Sequence, residues 1–201
     1  MKKLLLTGFE PFLEFPINPT EEVVNALNGK TIAGYEVVGK ILPVDFEESA
    51  KQCLGHLDEY KPDFVISLGL AGGRNNITPE RIAINCRDGA VDNRGVKLQD
   101  SPIEEDGPDG YFSTLPIRKF VNAAMEKGFP AAISNTAGTY LCNNVMYSIL
   151  HKINEVSLPV RAGFIHIPAS HELALKNPNL PSWSQRDLIE AIVTMIEVLD
   201  K

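Results

Sequence analysis

The sequence lacks the features that mark a disulfide-rich, zinc-binding or membrane protein. Only 3 of its 201 residues are cysteine, and neither a Cys-x-x-Cys pair nor a Cys/His spacing suggests a zinc site. No apolar run approaches the ~18 residues of a membrane helix. Three cysteines cannot all pair within the chain, so a reducing cytoplasm is the expected location.

A surplus of basic residues is also missing. The chain has 19 Lys and Arg against 26 Asp and Glu, a formal net charge of −7, and no cluster of Lys and Arg forms a stripe. A phosphate backbone would be repelled on average, so nucleic acid is not an expected partner. The opening Met-Lys-Lys-Leu-Leu-Leu is similar to the start of a signal peptide, but its apolar run stops at Thr7 and Gly8. A first buried strand is the better interpretation, with no membrane contact.

What is present suffices for one hydrophobic core. Hydrophobic residues make up 44% of the chain, and a protein of this size buries roughly 70% of its unfolded surface. Neither repeats nor low-complexity segments divide the sequence, so we expect a single domain over residues 1–201 that needs no metal or disulfide for stability.

Short apolar runs alternate with segments of helical period, which is typical of an α/β fold. We predict a three-layer α/β/α sandwich with an open, mostly parallel mixed twisted sheet. The predicted strands cover residues 4–7, 35–44, 64–68, 81–86, 131–134 and 160–167, and the predicted helices cover residues 18–28, 45–61, 117–125 and 141–153 and the stretch after Ser184.

Cys142 is a candidate nucleophile because of where it falls in this pattern. It follows the predicted strand 131–134 and a turn, which places it in the first turn of the next helix. The partial positive charge there favours a thiolate, and the free backbone N–H groups could stabilise an oxyanion. Most free cysteines are simply small buried hydrophobes, and position alone leaves the two interpretations even. Cys53 and Cys86 have no such position, and we interpret both as packing residues.

His166 and Glu80 are candidate partners for Cys142. His166 ends the strand 160–167 and so projects near the carboxyl edge of the sheet, where ligand sites of open α/β sheets lie. It could act as a general base or be a structural histidine bonded to a carbonyl. Glu80 could orient an imidazole, but a solvated carboxylate paired with Arg81 is the commoner case. Sequence spacing does not decide between these readings.

Two segments could shape a binding pocket. Phe9, Phe12 and Phe15 follow the first strand, where they could pack in the core or form a flat apolar slot. The Gly-Leu-Ala-Gly-Gly-Arg loop at residues 69–74 could wrap its backbone amides around a phosphate or an uncharged amide, which by itself is a weak signal.

Taken together, four motifs resemble one family, pyroglutamyl peptidase I, also called pyrrolidone-carboxylate peptidase, a family of cytosolic cysteine peptidases. The resemblance covers nearly the whole chain and includes four blocks in the same order. They are Thr-Gly-Phe-Glu-Pro-Phe at 7–12 with Asn-Pro-Thr at 18–20, residues 69–74 with Glu-Arg-Ile-Ala-Ile-Asn at 80–85, Asn-Thr-Ala-Gly-Thr-Tyr-Leu-Cys-Asn at 135–143, and Phe-Ile-His-Ile-Pro at 164–168.

The resemblance implies a cysteine exopeptidase, or omega peptidase, that removes N-terminal pyroglutamate from peptides and releases 5-oxoproline. It implies a triad in which Cys142 is the nucleophile, His166 the general base and then acid, and Glu80 the group that orients the imidazole. It also implies Phe9 and Phe12 as walls for the ring, and backbone around Leu70 as the partner of the lactam. No metal or organic cofactor is implied, and a homotetramer is expected.

The sequence departs from the family pattern in two places. Many bacterial members carry Asp-Ala-Arg after the asparagine that matches Asn85, whereas here Cys-Arg-Asp follows it. The arginine of those relatives therefore lacks a clear counterpart, and Arg87 and Arg94 are candidate replacements. Leu13 and Glu14 replace a glycine pair, which predicts a stiffer or differently folded entrance loop. Two rival functions are a nucleoside-phosphorylase-like transferase that uses residues 69–74 for phosphate and a protein that only binds a cyclic amide.

Overall fold

A computed structural model describes residues 1–12 and 15–200, and its fold agrees with the α/β prediction. The strands are β1 (Lys2–Phe9), β2 (Thr31–Ile32), β3 (Tyr35–Leu42), β4 (Phe64–Leu70), β5 (Thr78–Pro79), β6 (Ile82–Ile84), β7 (Gly110–Phe112), β8 (Arg161–Ile167), β9 (Ala169–Ser170) and β10 (Ser182–Trp183). The helices are α1 (Pro19–Leu27), α2 (Glu48–Tyr60), α3 (Ile117–Glu126), α4 (Leu141–Glu155), α5 (His171–Lys176) and α6 (Gln185–Ile196).

The main sheet has six strands in the order β2-β3-β1-β4-β8-β5. The pairs β1–β3, β1–β4 and β4–β8 are parallel, and the two edge pairs, β2–β3 and β5–β8, are antiparallel. The central strand β4 is buried along its whole length, as expected for a parallel strand covered on both faces. The carboxyl ends of β1, β4 and β8 therefore meet at one edge of the sheet.

Helices cover both faces of this sheet and give the three predicted layers. The core on one face contains side chains of α1, α3 and α6, and the core on the other face contains side chains of α2 and α4. Both cores consist mainly of aliphatic residues, whose burial is the main favourable contribution to folding. Within residues 1–12 and 15–200, no helix combines the length and the hydropathy that a membrane crossing requires.

Capping residues start and stop the helices largely where the sequence indicates. Asn18 accepts from the backbone N–H of Thr20 at 3.1 Å and so begins α1. Ser184 accepts from the backbone N–H of Asp187 at 3.1 Å and begins α6. Helix α2 ends at Lys61, whose φ of 46° is left-handed, and α3 is followed by Gly128 with a φ of 85°.

The predicted strand at residues 131–134 is wrong. This segment runs beside residues 77–80 but makes only two isolated bridges, Ile77 to Ala131 and Glu80 to Ser134. The backbone N–H groups of Ala132 and Ser134 do donate to this neighbour. Pro79 lies between the two bridges and has no N–H to donate, so the ladder is interrupted there.

Other predicted bounds need smaller corrections. The strand predicted at 81–86 is shortened to Ile82–Ile84, which pairs with β7 in a separate two-stranded sheet. The sequence pattern predicts neither β7 nor α5. These elements have only 3 and 6 residues, too few for a periodic pattern to appear in the sequence.

Candidate active site

Three strand ends and one helix start converge at the carboxyl edge of the sheet. Residue His166 lies near the end of β8, and β5 runs antiparallel beside it with Thr78 paired to His166. The backbone N–H of Glu80 donates to the carbonyl of Phe164 at 2.9 Å, which fixes the carboxylate next to the imidazole. The short edge strand thus carries Glu80 to His166 across a large separation in sequence.

His166 and Glu80 form a buried hydrogen-bonded pair. The imidazole Nδ1–H donates to Glu80 Oε1 at 2.7 Å. Glu80 is completely buried and His166 is 6% exposed. A buried charge is costly unless it is paired, so this pairing accounts for a carboxylate in the interior. The alternative partner Arg81 instead donates from Nε to Asn135 Oδ1 at 2.8 Å.

Cys142 is the second residue of α4, as the sequence predicts. Tyr140 precedes the helix as its N-cap and makes no side-chain capping bond. The N–H groups of the first helical turn have no partner within the helix, so the helix start offers donors next to the sulfur. Asn143, fully buried, fixes this turn by accepting from the N–H of Ile84 at 2.9 Å and donating to the Ile84 carbonyl at 2.8 Å.

Gly69 lies against the sulfur of Cys142. A β-carbon built on Gly69 would lie 2.8 Å from Cys142 Sγ and 2.7 Å from a ring carbon of Phe164. Real β-carbons do not make contacts this short, so glycine is required by the close approach of β4 to α4. This requirement explains the first glycine of the 69–74 loop without any phosphate ligand.

The charges around His166 favour its protonated form. Burial alone would lower the pKa of His166, but the charge and hydrogen bond of Cys142 and the hydrogen bond and charge of Glu80 raise it to about 9. The pKa of Glu80 is lowered: burial opposes this, and the hydrogen bond and charge of His166 outweigh it. By contrast, burial raises the pKa of Cys53 to about 12, which makes that thiol inert near neutral pH.

Cys142 and His166 line a cavity of about 190 Å³. Among residues 1–12 and 15–200, the rest of its wall is largely apolar and contains no carboxylate, lysine or arginine. The lining residues are Phe9, Phe12, Asn18, Val44, Leu70, Ala137, Tyr140, Leu141, Cys142 and His166. The cavity is therefore suited to a small uncharged group next to the sulfur.

The structure separates the three phenylalanines that the sequence grouped together. Phe9 is the last residue of β1 rather than part of a loop, and it lines the cavity together with Phe12. Phe15 packs edge-on against Phe12 with ring centroids 5.4 Å apart, in a cluster that includes Leu173. Phe9 is itself buried in a hydrophobic core, and Phe12 packs in the same cluster as Phe15. That Phe9 and Phe12 form a slot for a ligand stays a prediction. Leu13 and Glu14, the departure in the entrance loop, lie outside the described residues.

Neither arginine considered as a replacement reaches the cavity wall. The guanidinium of Arg87 donates to the Pro102 carbonyl, and Arg94 pairs with Asp45 at 3.0 Å. The arginine that approaches the site is Arg74, which bonds Glu80 at 2.7 Å. In the sequence, Arg74 stands out only as the last residue of the glycine-rich loop. Within the part of the chain that the structure describes, no three His, Cys, Asp or Glu side chains gather as a metal site.

Comparisons with known proteins identify the family of the chain. The pattern of the family described as Pyroglutamyl peptidase matches residues 2–201. A pyrrolidone-carboxylate peptidase of Oceanobacillus iheyensis is 58% identical over 200 residues, which is all of both chains. One of Halalkalibacterium halodurans is 52% identical over 98% of both chains.

Solved structures agree as well. A mutant pyrrolidone carboxyl peptidase from P. furiosus matches with a TM-score of 0.95 and 44% identity, over 98% of this chain and 97% of that one. The enzyme from Thermococcus litoralis matches with a TM-score of 0.95 and 40% identity, over 99% and 93%. By sequence and by fold, this chain belongs to the pyroglutamyl peptidase family of cysteine-type hydrolases.

Proposed function

We propose that the protein is an omega peptidase that hydrolyses the N-terminal pyroglutamyl residue from peptides and releases 5-oxoproline. The observation that carries this proposal is the placement of Cys142 and His166 together on the wall of a small, largely apolar cavity, with Glu80 buried behind the imidazole and bonded to it. The family to which the chain belongs supports the choice of substrate. We take residues 1–201 to act as one catalytic domain.

In the first half of the reaction, the Cys142 thiolate attacks the carbonyl carbon of the pyroglutamyl residue and forms a C–S bond. Backbone N–H groups at the start of α4 stabilise the oxyanion. His166 then donates its proton to the departing amine as the C–N bond breaks. The shortened peptide leaves, and the pyroglutamyl group remains on sulfur as a thioester.

In the second half, His166 takes a proton from water as the water attacks the thioester carbonyl. The C–S bond breaks, 5-oxoproline is released, and the thiolate–imidazolium pair is restored. Glu80 keeps the Nδ1–H of His166 in place and stabilises the imidazolium in both halves. No atom changes its oxidation state in this hydrolysis, so Cys142, His166, Glu80 and water account for the whole cycle.

The cavity wall supports specificity for the lactam ring. The aromatic faces of Phe9 and Phe12 bind the flat ring, and the backbone at Leu70 supplies hydrogen-bond partners for the lactam amide. The part of the wall that the structure describes has no carboxylate to pair with a protonated amine. A free, charged N-terminus would have to lose its hydration there without compensation.

The test is hydrolysis of a pyroglutamyl-arylamide before and after iodoacetamide, with Cys142→Ser as the decisive variant. We expect folded Cys142→Ser to have almost no turnover, because an alcohol is far less ionised than a thiol near neutral pH. Cys53→Ser and Cys86→Ser are the matched controls and should stay active. Near-normal turnover in Cys142→Ser would refute the proposal.

Assembly and location are separate expectations. We infer a cytoplasmic homotetramer from the family alone, with peptides as the substrate partners. Light scattering of the purified protein at several concentrations tests the tetramer, because a monomer of 201 residues would scatter about four times less per unit mass.

A further inference from the structure

One oxygen of Glu80 accepts hydrogen bonds from two different cations. Glu80 Oε1 lies 2.7 Å from Nδ1 of His166 and also 2.7 Å from Nη1 of Arg74. The same Arg74 nitrogen donates to the hydroxyl of Thr78. Because both bonds end on one atom, the guanidinium and the imidazole lie within two hydrogen-bond lengths of each other.

The local backbone places Arg74 there. The N–H of Arg74 donates to the carbonyl of Ala71 at 2.9 Å, which closes the turn that follows β4. Thr78 and Glu80 are two residues apart, so extended backbone directs both side chains to the same side, where Arg74 bonds both. The Arg74 side chain is 34% exposed, while Glu80 is completely buried.

We propose that Arg74 is a positioning residue for this site: its guanidinium keeps Glu80 ionised and oriented, and it weakens the hold of that carboxylate on the proton of His166. A guanidinium keeps its positive charge across the working pH range. It attracts the carboxylate and repels the imidazolium that shares the same oxygen. This inference rests on the proposed function, in which His166 must both donate and accept a proton in each turnover.

The balance of charges explains why such a residue is useful. Cys142 from α4 and Glu80 from the segment after β5 both stabilise the imidazolium. Tyr140 also faces the cavity, but its hydroxyl donates to the Val91 carbonyl at 2.8 Å and its pKa is raised to about 12, so it stays neutral. Arg74 therefore places a positive charge against the oxygen that binds the imidazolium, opposite in effect to these two groups. Proton transfer is most efficient when the pKa of the base lies near the working pH.

The test measures the titration of His166 directly by NMR of its imidazole ring, in a Cys142→Ser background that removes the thiolate. The His166 signal is assigned by its loss in His166→Gln. In Arg74→Gln we expect the titration midpoint to rise by about one pH unit, because a repelling charge next to the imidazolium is gone. Arg74→Lys keeps the charge and should restore the original midpoint to within about 0.3 unit.

Arg81→Gln is the matched control. Arg81 is next to Glu80 in the chain, but its guanidinium bonds Asn135, so the midpoint should not move. An unchanged or lower midpoint in Arg74→Gln would overturn the proposal, because it would mean that Arg74 at most orients Glu80 and does not weaken the hold of that carboxylate on the proton of His166. If Arg74→Gln does not fold, Thr78→Val takes its place. It removes one anchor of the guanidinium and should shift the midpoint in the same direction by less.

The same variants with the native Cys142 separate this inference from the proposed function. The alkaline limb of the kcat profile should move to higher pH in Arg74→Gln and return in Arg74→Lys. If Glu80→Gln retained normal kcat, the triad would be wrong, while the NMR midpoints would still decide whether Arg74 acts on His166.

Discussion

The α-carbon of Gly69 and the sulfur of Cys142 are so close that a single methyl group does not fit between them. A β-carbon on Gly69 would lie 2.8 Å from Cys142 Sγ and 2.7 Å from a ring carbon of Phe164. The end of β4 thus determines where the nucleophile lies relative to the sheet. The position of the sulfur therefore requires glycine at residue 69 as well as the helix that carries Cys142.

Gly69→Ala should therefore reduce turnover far more than it reduces stability. The added methyl group displaces the sulfur or the helix start, and a misplacement of about 1 Å can cost on the order of 10²-fold in rate. The measurement is kcat on a pyroglutamyl-arylamide, with circular dichroism to confirm folding. Gly73→Ala in the same loop is the control, because its β-carbon would meet nothing within 4 Å. Equal activity in the two variants would contradict the close contact.

Glu80→Gln should lose most of its kcat while remaining folded. The amide keeps the shape of the side chain but no longer stabilises the imidazolium, and loss of an orienting carboxylate from a triad can cost on the order of 10⁴-fold. The alkaline limb of the kcat profile should also move to lower pH, opposite to the effect of Arg74→Gln. Glu197→Gln, at an exposed ion pair with Lys127, serves as the control. A kcat and pH profile like those of the native protein would show that Glu80 does not act on His166.

The raised pKa of His166 predicts how stability depends on pH. The pKa in the folded protein is about 9 against 6.5 for an unperturbed histidine, because Cys142 and Glu80 outweigh burial. The folded state therefore binds this proton more tightly, and its contribution to stability is complete below pH 6.5 and is lost as the pH rises through 9. The free energy of unfolding from denaturant titrations should fall over this range more steeply for the native protein than for His166→Gln. Parallel curves would exclude a raised pKa.

The sequence was sufficient for residues whose position follows from local rules. Asn18 and Ser184 cap helices because a side-chain oxygen next to a helical pattern satisfies a free N–H. His166 was placed at the edge of the sheet because an apolar run of strand length ends there. In each case, a few neighbouring residues contain the whole signal.

Contacts across the chain were beyond this kind of reasoning. The sequence does not decide whether Glu80 faces solvent, pairs with Arg81 or orients an imidazole. The antiparallel pairing of β5 with β8 brings Glu80 to His166. The role of Arg74 depends on the same pairing. The interruption at Pro79 depends on pairing in the same way. The sequence shows that Pro79 has no N–H to donate, but only the structure shows which neighbouring segment would have accepted that hydrogen bond.

Asn93, in the long loop between β6 and β7, holds the segment that follows β1. Its side-chain amide donates to Glu10 Oε1 at 2.9 Å and to the Pro11 carbonyl at 3.0 Å, while Glu10 Oε1 also accepts from the N–H of Val44 at 3.0 Å. These bonds hold the segment that leads to Phe12. Asn93→Ala should raise KM several-fold with little change in the rate of Cys142 alkylation, because it loosens the wall and not the nucleophile.

The control for Asn93→Ala is Asn154→Ala, whose amide bonds only the Leu150 carbonyl within its own helix. Steady-state kinetics on the arylamide and the rate of iodoacetamide inactivation give the two readouts. A loss of kcat at unchanged KM would show that the loop acts on the chemistry instead of on the wall.

We expect specificity for the lactam ring, because the described part of the cavity wall is largely apolar. Proline differs from pyroglutamate by lacking the ring carbonyl, and its ring nitrogen is therefore a protonated amine instead of an amide. A site that hydrogen-bonds the lactam would leave its partners unpaired with proline and would also have to desolvate a cation. Sites built around such bonds reject the wrong ligand by roughly 10⁴-fold or more. An open N-terminal glutamine, charged and not closed into a ring, should be refused as well.

The measurement compares kcat/KM for pyroglutamyl-, prolyl- and glutaminyl-arylamides under the same conditions. Phe9→Ala or Phe12→Ala should weaken binding of the pyroglutamyl substrate without abolishing alkylation of Cys142, because these rings position the substrate and do no chemistry. Phe112→Ala, at a side chain that is 66% exposed, is the matched control and should behave like the native protein. Comparable values for the prolyl and pyroglutamyl substrates would exclude the lactam slot, because a site that hydrogen-bonds the lactam cannot accept the prolyl cation as readily as a neutral amide. A general iminopeptidase would then describe the site better.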